Sequence, residues 1–497
     1  MLTLLTLLAC VPEPEPGWAF PDPDEGPPLR GPGGPTASFD ESELWQGCAS
    51  LTGGDEDVLH HNLVMPYRGH LVLPWAPEFG GGGLAFFEMN DPCQPVRVGT
   101  SFSRYMRETH AIAFLHLPDD DPQAGDYAVV TGNLGVQVWD ITDYTAPVEL
   151  AYLTLPNVFY PDAYARVVLS VFWQYPYLYV AGADNGLYIV DTSTLAEPEQ
   201  VGEYSFDPVL RAGGVFALGN TLMVSSAEGK KVGLLDISTP TEPQPIGGGL
   251  FEIQTAEGVA VEAYHANRVG DLALFARKEG GGGVIAYDVS DPTQPTYYGE
   301  GFSEGGNGGY VFYHEGLAFV GDSHWGRVYD LSAAGAFPAI GTATLPGDQD
   351  TFVPYGNVAV LSVDDDAEDG IASSIIPWST TPDARGPVVL AVDPPDGATG
   401  LPPTARVGVG FDEIIEPSSF FQGSIRLYDD DGSAVQGWTT AQETIGTYTP
   451  KQALKAGHTY TLEVMPGGVT DINGNAVAEK WSSTFTIAGT RSPDESP

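Results

Sequence analysis

Val284-Ile285-Ala286-Tyr287-Asp288-Val289-Ser290-Asp291-Pro292-Thr293-Gln294-Pro295 is the stretch on which the fold turns. An apolar run ends in Asp, and a Ser-Asp-Pro turn follows. Leu84-Ala85-Phe86-Phe87-Glu88-Met89-Asn90-Asp91-Pro92-Cys93-Gln94-Pro95 aligns with it without a gap. Shorter copies end at Asp140, Asp191, Asp236 and Asp330. A degenerate copy at Ser374-Ile375-Ile376-Pro377 carries Pro where the acid belongs. The acidic positions Glu88, Asp140, Asp191, Asp236, Asp288 and Asp330 recur every 42 to 52 residues. Each unit reads as four strands: Val215–Leu218, a turn, Thr221–Ser225, a Gly-rich loop, the strand ending in Asp, then a strand after the Pro turn. Such a sheet is apolar on both faces and is stable only when stacked against its neighbours, so the period predicts a seven-bladed β-propeller over residues 44–385. The recurring acid reads as a turn cap, since six copies of one active site would be out of keeping with a repeat.

Working outward, Pro12–Pro16 and Pro21–Asp24 lie in a Pro- and acid-rich stretch, 11–43, expected to be a disordered, solvated tether. Residues 1–10 form a short apolar run ending at Cys10. No Lys or Arg precedes that run, where an export signal normally carries basic residues. The three cysteines are Cys10, Cys48 and Cys93. With Cys10 set aside, Cys48 and Cys93 are an even pair, disulfide-bonded in an oxidising compartment or else two buried thiols. Beyond the repeats, 386–488 carries short strands with turn signals at Asp429-Asp430-Asp431-Gly432 and Asn473-Gly474, which suits a β-sandwich of seven strands; 489–497 is a polar tail. The whole is all-β.

Leu187-Tyr188-Ile189-Val190-Asp191 and Val284–Pro292 resemble the LVIVD repeat of bacterial surface propellers. That resemblance implies a propeller in an extracytoplasmic location and brings no catalytic motif. Val388–Pro402, Val407–Glu413, Thr459–Glu463 and Gly468–Asn475 resemble bacterial Ig-like domains of the S-layer-associated type. Leu7-Leu8-Ala9-Cys10 resembles a lipobox, which implies a diacylated Cys10 and a lipoprotein of the cell envelope, at the outer membrane or cell surface; a plain secreted protein is the alternative.

Sixty-six acidic against 20 basic residues give a formal charge of −46, which repels phosphate backbones and anionic lipid and makes nucleic acid a poor partner. No G-x-S-x-G, H-E-x-x-H, Walker or dinucleotide motif is present. His60-His61 places two rings on opposite sides of an extended chain, a poor metal pair, and the other histidines read as surface or packing residues. Propellers bind at the face where the fourth-to-first and second-to-third connections emerge. There the expected ligand-binding residues are His61, Arg107, His110, Arg166, Arg211, Glu257, Asn307 and Asp350, joined by Glu78, Asp184, Glu228, Glu279, His324 and Asp364. Three arginines there suit an anionic ligand, unless neighbouring acids take them. Asp364-Asp365-Asp366, like Asp119-Asp120-Asp121, has the oxygen chemistry of a Ca²⁺ site, Ca²⁺ being the one cofactor the sequence suggests. The expectation is therefore a non-catalytic binding or scaffold protein contacting an envelope protein or glycan. A hydrolase or lyase at the channel mouth and a Ca²⁺-dependent structural protein are the alternatives.

Overall fold

A computed structural model describes residues 18–490 apart from 54–59, 78–79, 133, 160–166, 366 and 368–370. Cys10 and the polar tail beyond residue 490 lie outside the described residues. Seven antiparallel sheets follow one another in the order the repeat dictates. Blade 1 runs Met65–Tyr67, His70–Trp75, Gly83–Glu88 and Val96–Thr100. Blade 2 begins at Ile112–Leu117, blade 3 at Ser170–Gln174, blade 4 at Ala212–Leu218, blade 5 at Glu262–Val269 and blade 6 at Val311–His314. The middle strands are buried almost throughout, which is why they are rich in Val, Ile, Phe and Tyr on both faces. Fourth strands, exemplified by Glu199–Tyr204, alternate between exposed and half-buried because they form the rim.

The repeated acids build the turns. The carboxylates of Asp140, Asp191, Asp236, Asp288 and Asp330 each accept from the backbone N–H two residues on, at 2.7–2.9 Å. The following Asp91, Asp143 and Asp291 do the same one turn later. In blades 2 and 5 two successive Asx turns thus lead the third strand into the fourth, and in blades 1, 3, 4 and 6 one does.

Blade 7 has three strands of its own, Asp348–Tyr355, Val358–Asp365 and Ser373–Pro377. Its fourth is Ala49–Ser50 from the N-terminal side, paired with Ile375 and Ser374. Cys48 and Cys93 are disulfide-bonded, and the link runs from this closing strand to the Asp91–Cys93 turn of blade 1. It therefore bridges the last blade and the first.

The Pro-rich stretch departs from the expected tether. From Trp18 onward it lies against the folded body as a strap. Arg426 donates to Pro21 O at 2.8 Å, Arg68 to Pro28 O at 2.7 Å and Asn473 to Pro35 O at 2.7 Å. Gly31 N and Gly33 N donate to Arg68 O and Gly69 O. The approach there is so close that a Cβ on Gly69 would stand 2.6 Å from Gly31 O. The segment has no core of its own, but its extended carbonyls satisfy donors of the two domains it crosses.

The C-terminal sandwich packs Val389–Asp393, Val407–Phe411, Gly437–Gln442 and Ile445–Pro450 against Ala398–Leu401, Ile425–Asp429, Thr459–Val464 and Trp481–Ile487, eight strands where seven were expected. It has its own core around Val407, Val409, Tyr448 and Phe485. It docks on the propeller face formed by the hairpins between first and second strands. Asp393 accepts from Asn220 N at 2.8 Å, Arg406 donates to Gln174 and Tyr179, and Glu416 accepts from Arg68 N at 2.6 Å. Ile445, Ile414 and Ile472 add apolar contacts, being part of the propeller's own core clusters.

Candidate functional site

The first strands of the seven blades line the central channel, and its two ends differ. On the sandwich side the hairpin Gln442-Glu443-Thr444 enters it. Gln442 donates to Val171 O at 2.9 Å, Thr444 to Arg268 O at 3.1 Å, and Asn267 donates to the Glu443 carboxylate. Glu443 sits at the hairpin tip with φ 54°, an uncommon conformation for a side chain other than Gly or Asn that the surrounding hydrogen bonds hold in place. Above it Leu63, Met65, His110, Ser170, Phe216, His265 and Tyr310 close around a water-sized cavity.

Toward the other end lies a buried polar group contributed by four blades. Glu108 Oε1 lies 3.5 Å from His60 Nε2 and 3.4 Å from His110 Nε2. His110 Nδ1 is 3.0 Å from the Tyr310 hydroxyl and 3.4 Å from Asn62 Nδ2. His265 packs on the Tyr310 ring with centroids 4.2 Å apart. Burial pushes the Glu108 carboxyl up, but His110 and His60 overcome this and hold it well below the usual carboxylate range. Burial, assisted by the charge of His110, pulls the His265 imidazole down to about 3. Asp350 of blade 7 is buried beside Asp348 and Asp364, whose carboxylate oxygens lie within 4.8 Å of one another. Burial pushes the Asp350 carboxyl up to about 6, against the Lys278 ammonium and with the Asp348 carboxylate. Glu108, His110, His265, Tyr310 and Asp350 are each no more than 6% exposed. His110 and Tyr310 hydrogen-bond to each other, whereas His265 Nδ1 meets no hydrogen-bond partner among the described residues, and the cavity beside them is water-sized.

The residues expected at the mouth therefore divide. His110 and Asp350 enter the channel, and Asp364 joins Asp350; the Asp365 side chain and all of Asp366 lie outside the described residues. His61 turns to Ser373 Oγ at 2.8 Å. The arginine cradle does not form among the described residues. Arg107 donates to the carbonyls of Gly80, Arg104 and Met106, and Arg211 pairs with Asp184 at 3.1 Å and Glu228 at 3.5 Å. Arg166 and Glu78 lie outside the described residues. Glu257 is exposed on a loop ahead of Glu262–Val269 and accepts from Thr255 Oγ1. Asn307 caps Glu279 N, and His324 is exposed against Trp325.

Sequence reading missed Glu108, His60, Asn62, His265, Tyr310 and Glu443. Seven of the nine histidines are buried, so of the expected surface or packing roles packing prevails. The available signal was the run Arg107-Glu108-Thr109-His110 just ahead of an apolar strand.

The model of the bacterial Ig-like domain family matches residues 383–487, and that of the LVIVD repeat matches 176–205. The chain joins an LVIVD-repeat propeller to a bacterial Ig-like domain. No curated protein matches it. Similar solved structures include the computationally designed protein Ika8, at 11% identity and TM-score 0.44, covering 67% of this chain and 99% of that one. Another is the β-propeller domain of Cps50 (Swd1) of Myceliophteria thermophila, at 11% and 0.45, covering 67% and 99%. A third is a functionally unknown protein of Desulfotomaculum acetoxidans DSM 771, at 10% and 0.43, covering 67% and 96%. The combination of LVIVD propeller and Ig-like domain fits a protein-binding or scaffold role.

Burial pushes the Glu443 carboxyl up to about 8, against the Asn267 hydrogen bond. A carboxyl raised on folding contributes stability that is complete below its unfolded value and lost as pH rises through the folded one. Glu443→Gln is therefore expected to match the parent at about pH 4 and to exceed it by about 2–4 kcal/mol at about pH 9. Urea unfolding at both pH values reads this; equal pH slopes for the two proteins contradict it.

Proposed function

We propose that this chain is a non-catalytic envelope lipoprotein whose LVIVD propeller grips a partner protein with the face opposite the Ig-like domain. One observation carries the reading. Phe102, Phe159, Val209, Val259 and Phe302, which are 53–65% exposed, and Leu134, at 38%, stand on that face. Phe102, Phe159, Val209 and Val259 come from the connections between successive blades, Phe302 from the end of the fourth strand of blade 5, Thr296–Ser303, and Leu134 from the second-to-third loop of blade 2. Apolar side chains held out to water on one face are the mark of a contact surface, whereas the sandwich occupies the other face. None of these six side chains offers a sugar hydroxyl a hydrogen bond, so a protein is the better occupant than a glycan. With a net charge of −46, the partner's rim is basic. The lipobox-like Leu7-Leu8-Ala9-Cys10 supports attachment to the envelope membrane.

A photo-crosslinking residue at Phe159 or Val209 is expected to give one discrete adduct in the native envelope, while the same residue at the outer-edge positions Val148 or Ile340 gives none. The captured partner, once purified, should bind the Phe102→Ser, Phe159→Ser, Phe302→Ser variant about tenfold or more weakly than the parent. Adducts of equal yield from rim and face, or undiminished binding by the variant, would overturn the proposal.

A further inference from the structure

The junction between propeller and sandwich holds a second cluster, away from the channel. His314 ends the first strand of blade 6, Asp383 lies in the linker that leaves blade 7, and Glu413 follows the sandwich strand Val407–Phe411. One donor atom from each lies within 4.8 Å of the others. The imidazole stands between two carboxylates, with Nε2 3.8 Å from Asp383 Oδ2 and Nδ1 3.7 Å from Glu413 Oε2. Both distances exceed a hydrogen bond. The side chains of His314, Asp383 and Glu413 are 6%, 8% and 2% exposed. Glu413 Oε1 and Asp383 Oδ2 meet no hydrogen-bond donor among the described residues.

The surroundings do not neutralise this charge. Arg385, the nearby guanidinium, is already engaged by Glu315 and Asp412. Asp471, also buried, is satisfied by Asn475 N and Nδ2 at 2.8 and 2.9 Å. Glu315, Asp412 and Asp471 thus add negative charge around the two open carboxylate oxygens. Carboxylates buried in this way either take up protons or share a cation.

We infer that His314, Asp383 and Glu413 form a structural site for a first-row divalent transition metal of the Zn²⁺ or Mn²⁺ type, clamping the Ig-like domain to the propeller. One imidazole with two carboxylates is a borderline donor set that suits these ions, whereas Ca²⁺ takes oxygen donors only. Bond lengths near 2.1 Å place such donors about 3.4 Å apart, so the three side chains close by roughly an ångström around the ion. The three ligands come from blade, linker and sandwich, so the ion would bind only the docked arrangement and stabilise it by mass action. This inference is independent of the partner-binding face.

The test uses the full chain, stripped with EDTA, dialysed and titrated calorimetrically with Zn²⁺, Mn²⁺ and Ca²⁺ in turn. One equivalent of Zn²⁺ or Mn²⁺ is expected to bind and raise the melting temperature. His314→Gln and the isosteric Asp383→Asn, each checked by circular dichroism for the parental fold, should weaken binding about tenfold or more. No stoichiometric uptake of either ion would overturn the inference. So would a preference for Ca²⁺, or parental affinity in a folded Asp383→Asn variant, which would place the ion elsewhere.

Discussion

Replacing Arg68 by methionine is expected to lower the stability of the chain by about 3 kcal/mol, because it strips a buried carboxylate of its closest cation. Asp126 is 1% exposed and receives Arg68 Nη1 at 2.6 Å, Arg30 Nη2 at 2.9 Å, His116 Nδ1 at 2.8 Å and the Tyr67 hydroxyl at 2.8 Å. Arg68 also gives two hydrogen bonds to Pro28 O, while its backbone N–H goes to Glu416 of the sandwich. One side chain thus fastens the strap and blade 2 to blade 1, and its own peptide fastens the sandwich. The loss falls at the lower end of the range for broken buried pairs because Arg30, His116 and Tyr67 still face Asp126. Burial pushes the Asp126 carboxyl up, yet His116, Arg68 and Tyr67 outweigh this and hold it below its ordinary value. A depressed carboxyl contributes stability that is present above its unfolded value and lost as pH falls through the folded one. The parent should therefore lose stability on acidification below pH ~4 more steeply than Arg68→Met. Adding Asp126→Asn to Arg68→Met should restore part of the loss, since the uncompensated charge is gone. Denaturant midpoints for the two singles and the double measure all three terms. A change below about 1 kcal/mol in the single would mean that Arg30 alone suffices.

Much of this architecture was legible in the sequence, for a physical reason. A blade is local: its strands pair with their neighbours in the chain, and its acids bind N–H groups two residues away, so Asp140, Asp191, Asp236, Asp288 and Asp330 betray the repeat directly. Apart from the Cys48–Cys93 pair, which the cysteine count left as a disulfide or two thiols, what spans blades was not legible. The two-residue strand Ala49–Ser50 pairs with residues near 375 and carries no pattern at that length. Gln442-Glu443-Thr444 reads as an ordinary hairpin turn, and nothing local shows that it enters a channel made by first strands from several blades. Arg107 and Arg211 stand where expected, but nearby carbonyls and acids take them up. The strap misleads for the complementary reason: a Pro-rich composition reports that a segment cannot build a core, and Arg68, Arg426 and Asn473 show that it need not build one to be held.

Removing the Cys48–Cys93 bond is the second large change, with an expected loss of about 2–4 kcal/mol. The bond closes a loop of 45 residues, and the chain-entropy cost of closing such a loop in the unfolded state is about 4 kcal/mol. The position matters more than the length. A propeller is a ring, and this ring closes where Ala49 and Ser50 pair with Ile375 and Ser374. Among the described residues the strand is flanked by Trp45 N to Pro377 O at 2.7 Å, Cys48 N to Ile375 O at 2.9 Å, Leu51 N to Ser373 O at 3.1 Å and Ser374 Oγ to Ala49 O at 2.9 Å. So short a strand frays readily when its end is loose. The disulfide fixes that end to the Asp91–Cys93 turn of blade 1, making separation of blade 7 from blade 1 a covalently restrained event. The Cys48→Ser, Cys93→Ser variant and the reduced parent should unfold at the same lowered denaturant concentration. Hydrogen exchange should quicken first at Ala49–Leu51 and Ser373–Ile375, while Val407–Phe411 and Thr459–Val464 in the sandwich keep their protection. An even loss of protection across both domains would show that the bond restrains the unfolded chain alone; the localised loss would show that it is the clasp of the ring.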